Sequence, residues 1–192
     1  MLKKKHEGFT LVEILIVVLI LGVLAGSMLL SSGKSVAAAK ANKIIADMTV
    51  IKDAVLAYYM ENVENSPTVD KFCAQAKKYL GDTAIEGQAM SIGTGAQVYN
   101  ANHIVLQLGD IYFGITTNER QNNETDVGDK WYVEAFFVND PDCVGIQEKL
   151  KDLASRIPLF KTQGIDVDGS RISNVSEHLY DGVDVSVFMR IR

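Results

Sequence analysis

Gly8-Phe9-Thr10-Leu11-Val12-Glu13, followed by a run without charge from Ile14 to Leu30, decides how this chain is read. The stretch Lys3-Lys4-Lys5-His6-Glu7 stands before it. A basic cluster, a junction glycine and one carboxylate at the head of an apolar helix are therefore stacked within thirty residues. The carboxylate is the unusual part. At the centre of a membrane helix a charged side chain costs about 2.5–3.5 kcal/mol on insertion scales, and less near the end. A charge kept in such a place calls for a partner. An ordinary secretory signal has a shorter apolar region that ends at a small-residue cleavage site. Here Leu24-Ala25-Gly26-Ser27 is the nearest candidate for such a site and the run continues past it. Residues 9–30 suffice to span a hydrocarbon core of about 30 Å. The lysines hold the start of the segment in the cytoplasm and place the rest of the chain outside.

The helix is expected to continue beyond the membrane. Past Ser31-Ser32-Gly33, the residues Ala37, Ala41, Ile44, Met48, Ile51, Val55 and Tyr58 recur at steps of four and three, which is one apolar stripe on a helix. Lys40, Lys43, Asp47, Lys52 and Asp53 fall largely off the stripe, and Lys40, Lys43, Lys77 and Lys78 are read as solvated helix surface. A helix from about 9 to 62 would be roughly 80 Å long. Its first half is apolar all round and asks for lipid or other helices. Its second half is apolar on one side and asks for a globular domain.

After a break at Asn62–Pro67, Thr68 can cap a short helix from Val69 to Leu80. Residues 81–102 read as a glycine-rich loop with one short strand, and Gly93-Thr94-Gly95 lacks the lysine and helix of a phosphate loop. His103–Leu108 and Ile111–Thr117 flank Gly109-Asp110 as a hairpin. Residues 118–129 read as a surface loop and 130–138 as a strand. Asp142 can then cap a helix to about Ile157, which Pro158 stops. A short hairpin is expected around Asp168-Gly169, and the alternation of Val183, Val185, Val187, Met189 and Ile191 predicts a final strand locked into the sheet. The fold class is α+β: a long N-terminal helix, transmembrane in its first half and amphipathic in its second, packed on an antiparallel sheet.

Lys3, Lys4, Lys5 and Glu7 contribute +2 to a formal charge of −5, so the remainder carries −7. An acidic chain argues against nucleic acid as a partner. Cys73 and Cys143 suit one disulfide in an oxidising compartment, the alternative being two buried thiols. Neither cofactor nor metal is implied; Asp166–Ser170 reads as a turn rather than a calcium loop. The histidines His6, His103 and His178 are scattered, and no nucleophile or metalloprotease spacing is present. An enzyme is not expected.

Gly8–Glu13, with lysines before it and about twenty apolar residues after it, resembles the leader junction of type IV prepilins and type II secretion pseudopilins. The resemblance covers residues 3–35 and implies a leader (1–8), an assembly helix (9–35) and a globular head (36–192) that includes the helix to about 62. It implies cleavage between Gly8 and Phe9 by a prepilin peptidase, N-methylation of Phe9, and pairing of Glu13 with the Phe9 amino group of a neighbouring subunit, the alternative being the same pair within one chain at i and i+4. The implied partners are other pilin subunits, an inner-membrane assembly platform and, before assembly, lipid. Gly22 falls where many members soften the helix, whereas Leu30 stands where many type IVa pilins have proline. The region from the aromatic strand through Asn139-Asp140-Pro141-Asp142-Cys143 to Ile157 is similar to type IVb pilins. Those join this cysteine to one near the carboxyl end; here the sole candidate partner is Cys73, and the short leader and Phe9 are more similar to type IVa pilins. The expected function is a pilus subunit, with a secretion pseudopilin or a non-polymerising membrane-tethered binding domain as alternatives.

Overall fold

The fold was obtained as a computed structural model that describes residues 10–94, 97–117, 120–121, 125–126, 130–162 and 175–192. The chain divides into two units, residues 1–36 and 37–192. One helix, α1 (Leu11–Glu61), begins in the first and ends in the second. In the first unit its side chains from Leu11 to Leu24 are exposed on all sides. Among the described residues α1 is the one helix long and apolar enough to cross a membrane.

In the second unit the predicted stripe is the core. Ala37, Ala41, Ile44, Met48, Ile51, Val55 and Tyr58 are all buried. A 3-10 turn (Val63–Asn65) ends the helical run, and Ser66 takes a left-handed φ of 50°. Thr68 caps as expected, its hydroxyl accepting from the Lys71 N–H at 3.3 Å. The expected single helix is two, α2 (Val69–Cys73) and α3 (Ala76–Leu80), with Phe72, Cys73 and Ala76 buried. Helix α4 (Cys143–Ala154) adds Ile146, Leu150 and Ala154 to the same core.

The helices pack on an antiparallel sheet of seven strands. In chain order they are β1 (Gln88–Thr94), β2 (Gln97–Leu108), β3 (Ile111–Thr117), β6 (Trp131–Phe136), β7 (Leu159–Thr162), β8 (Val175–Leu179) and β9 (Ser186–Arg190). A separate pair is made by β4 (Arg120–Gln121) and β5 (Thr125–Asp126). The order across the sheet is β1-β2-β3-β6-β9-β7-β8. The hairpin at Gly109-Asp110 joins β2 to β3, and Gly109 supplies the φ of 62° that a two-residue link needs. The final strand is locked in from Ser186 onward: β9 lies between β6 and β7, with Val187, Met189 and Ile191 in the α1 core, whereas Val183, expected on the same face, precedes the strand and is exposed.

Three expectations are corrected. Residues 81–102 hold β1 and the first half of β2, not a loop with one short strand. Their glycines and small polar residues mask the period-2 signal, and long-range pairing supplies what local pattern lacks. The strand β7 was not anticipated. It follows a turn at 155–158: α4 ends at Ala154, short of the expected end at about Ile157, and Pro158 leads into the extended segment. The surface loop expected at 118–129 contains the short β4–β5 pair. The hairpin expected around Asp168-Gly169 lies outside the described residues.

Candidate functional site

The start of α1 carries the embedded carboxylate. Thr10 precedes the helix and Glu13 lies in its first turn. The Thr10 backbone N–H donates to Glu13 Oε2 at 2.7 Å, and the Thr10 hydroxyl donates to the same oxygen at 2.9 Å. In return the Glu13 N–H donates to Thr10 Oγ1 at 3.2 Å. This reciprocal pairing is a capping box, Thr-x-x-Glu, which satisfies helix-terminal donors that have no partner inside the helix. A carboxylate at this end also meets the positive pole of the helix. The charge is thus held within its own chain by one residue that sequence reading passed over. The signal was present as the spacing Thr10-x-x-Glu13. Both Thr10 donors use Oε2, and Oε1 carries no contact among the described residues. Gly8 and Phe9, the expected cleavage and methylation positions, lie outside the described residues.

In the head, the lysines are not all solvated surface as expected. Lys40 on α1 reaches Asp140 Oδ1 at 2.7 Å and Oδ2 at 2.9 Å, and Asp142 Oδ2 at 2.8 Å. These two carboxylates hold the Lys40 ammonium above the usual lysine range, Asp140 first and Asp142 second. Asp142 does occupy the position before α4, but its side chain bonds Lys40 instead of capping the helix. Lys78 donates to Glu61 at 2.8 Å and to the Tyr79 hydroxyl at 3.0 Å, and those hydrogen bonds raise its pKa. Lys43 faces Asp47 one turn on at 3.3 Å.

The expected bridge between Cys73 and Cys143 is not formed; both remain thiols. The reason is their placement along α1. Cys73 lies beside Phe72, whose ring stacks edge-on against Tyr58 at 5.4 Å. Cys143 starts α4, two residues before Gly145, where an added Cβ would come 2.6 Å from the Ala37 Cβ. Ala37 and Tyr58 are about 30 Å apart along the helix. A disulfide requires Cα atoms within about 4.4–6.8 Å. Burial, with a smaller contribution from Asp140, pushes the Cys143 thiol above its usual pKa.

His103 faces an acidic residue from another element. Its Nε2 lies 2.6 Å from Asp70 Oδ1 on α2, and its φ of 61° sits at the bulge where the β1–β2 register shifts. His178 is exposed on β8. The Asp166–Ser170 turn lies outside the described residues.

Residues 3–29 match the family described as the prokaryotic N-terminal methylation motif. No curated protein and no solved structure matches the chain. The match covers the lysines, the Gly8–Phe9 junction, the Thr10–Glu13 box and most of the apolar run. In a motif of this kind, processing by a prepilin peptidase and assembly with other subunits are implied. A long apolar helix with a charged residue in its first turn, leading into an α+β head, is the matching architecture. Residues 3–29 are thus a prepilin-type amino terminus, which marks a membrane-anchored precursor and supports the type IV pilin and pseudopilin family.

Proposed function

We propose that this chain is a structural subunit of a type IV pilus or related filament. It is stored in the inner membrane with its head outside the cytoplasm, cut after Gly8, and polymerised through α1. The carrying observation is Glu13, fixed in the first turn of an otherwise uncharged apolar run that lies within the matched methylation motif. Thr10 satisfies one carboxylate oxygen. Cleavage creates an amino group on Phe9, and the second oxygen of Glu13 is the acceptor for that group on a neighbouring subunit. A buried charge left unpaired is costly, so the pair penalises wrong register within a packed filament. The chain catalyses nothing itself; chemistry is done to its amino terminus.

Glu13→Ala tests the reading. Filament incorporation should be lost while cleavage proceeds, measured by electron microscopy of sheared filaments and by the mass of the amino-terminal peptide. Undiminished assembly of the variant would overturn the mechanism. A mature chain beginning at Met1 or after Ala25, rather than at N-methylated Phe9, would overturn the prepilin reading itself.

A further inference from the structure

The head grips α1 in two different ways along its length. From Ile44 to Tyr58 the grip is apolar: Ile44, Met48, Ile51, Val55 and Tyr58 are large and essentially fully buried. From Ala37 to Ala41 the buried residues are alanines, and the facing helix presents Gly145. Methyl groups remove far less apolar surface from water than those larger side chains do. What supplements them at the second place is charge. Lys40, between the two alanines, binds Asp140 and Asp142 from the turn that leads into α4. The Asp140 side chain is 5% exposed, and the Lys40 and Asp142 side chains are each 30% exposed. The turn is further braced on itself, because the Asp142 N–H donates to Asp140 Oδ1 at 2.8 Å and the Cys143 N–H donates to the Asp140 carbonyl at 3.0 Å. Beyond that turn α4 is anchored independently by Ile146, Leu150 and Ala154.

We propose that Lys40, Asp140 and Asp142 form a latch that supplements the small apolar contact of Ala37 and Ala41 in securing this α1 turn to the head, so that this turn and the first turn of α4 open together as a local unit while Ile44–Tyr58 stays packed. The small residues make the unit releasable: Ala37 and Gly145 separate with little apolar surface to expose. The latch sets how many turns of α1 the head holds. It concerns the head alone and stands whether or not the chain polymerises.

Amide hydrogen exchange on the full-length chain in detergent micelles tests this. Lys40→Met keeps the aliphatic stem and removes the charge. Exchange at residues 38–44 and 142–146 should rise about tenfold or more, with 51–58 and the sheet unchanged, as expected for local rather than global opening. Raising salt from about 0.05 M to about 0.5 M should accelerate the same segments in the native chain and leave the variant unaffected, because the pairs are partly solvated. Asp142→Asn, which removes the more exposed carboxylate, should give a smaller rise in the same two segments. Unchanged protection at 38–44 in Lys40→Met, or salt-insensitive exchange in the native chain, would overturn the latch. A uniform rise through α1 and the sheet in both variants would overturn it as well, by showing a global loss of stability instead of a local opening.

Discussion

Residues Leu11–Leu24 and residues Ala37–Tyr58 lie on one helix and differ in what surrounds their side chains. In the first, every large apolar residue is at least half exposed, Leu15 at 58% and Val17 at 51% among them. In the second, Ile44, Met48 and Ile51 are at 0%. The backbone ladder is helical through both. The distinction is therefore not helix propensity but the solvent each pattern is written for. An all-round apolar surface is satisfied by lipid or by other helices, and a one-sided stripe by a folded sheet and helix from its own chain.

The largest test of that contrast places the same charge in both regions. Ile44→Asp should unfold the head, since an unpaired carboxylate in a close-packed core exceeds about 4 kcal/mol. Circular dichroism should show the cooperative transition lost. Val17→Asp should leave the head's thermal transition in place and instead impair membrane insertion, by about 2.5–3.5 kcal/mol, read by membrane fractionation. Equal damage to the head from both would break the contrast.

A smaller effect separates the glycines. Gly145→Ala forces a methyl to within 2.6 Å of the Ala37 Cβ, whereas a Cβ at Gly22 meets nothing within 4 Å. The first should destabilise the head by about 1–3 kcal/mol, seen in chemical denaturation, and Gly22→Ala should leave it unchanged. Pairing Gly145→Ala with Ala37→Gly should recover part of the loss.

The smallest effect lies at the surface of the head. Lys161 meets Asp181 at 2.6 Å, and this hydrogen bond holds the Asp181 carboxyl below the usual range. A depressed folded pKa contributes stability above the unfolded value and loses it as pH falls through the folded one. The contribution is therefore present at neutral pH and fades below about pH 4. With side chains 31% and 40% exposed, solvent screening keeps it slight. Lys161→Met should reduce stability a little at pH 7 and not at all at the acid end, in denaturant titrations at both.

How much was legible depended on range. The α1 stripe from Ala37 to Tyr58 was readable residue by residue, because a 3.6-residue period against one apolar partner leaves a regular trace. The hairpin at Gly109-Asp110 and the terminal strand β9 were readable for similar local reasons. At the candidate site Glu13 stood out through the cost of its charge, while Thr10 was missed although the Thr-x-x-Glu spacing was in view. Lys40 was misjudged because its carboxylate partners lie a hundred residues away, and no spacing within a helix points to them. The two cysteines were misjudged for a related reason. Two cysteines in one chain suggest a pair until the helix between their contacts, about 30 Å of it, is laid out.

By itself the sequence determined the prepilin-type amino terminus, the charge embedded after it and the change from an all-round to a one-sided helix. Each is written in neighbouring residues, where chain geometry alone sets the distances. Only the tertiary structure decided the strand order, the separation of the cysteines and the ion pairs of Lys40 with Asp140 and Asp142. Those depend on which distant segments share a core, and burial of apolar surface, being non-directional, leaves that choice to the packing of the whole head.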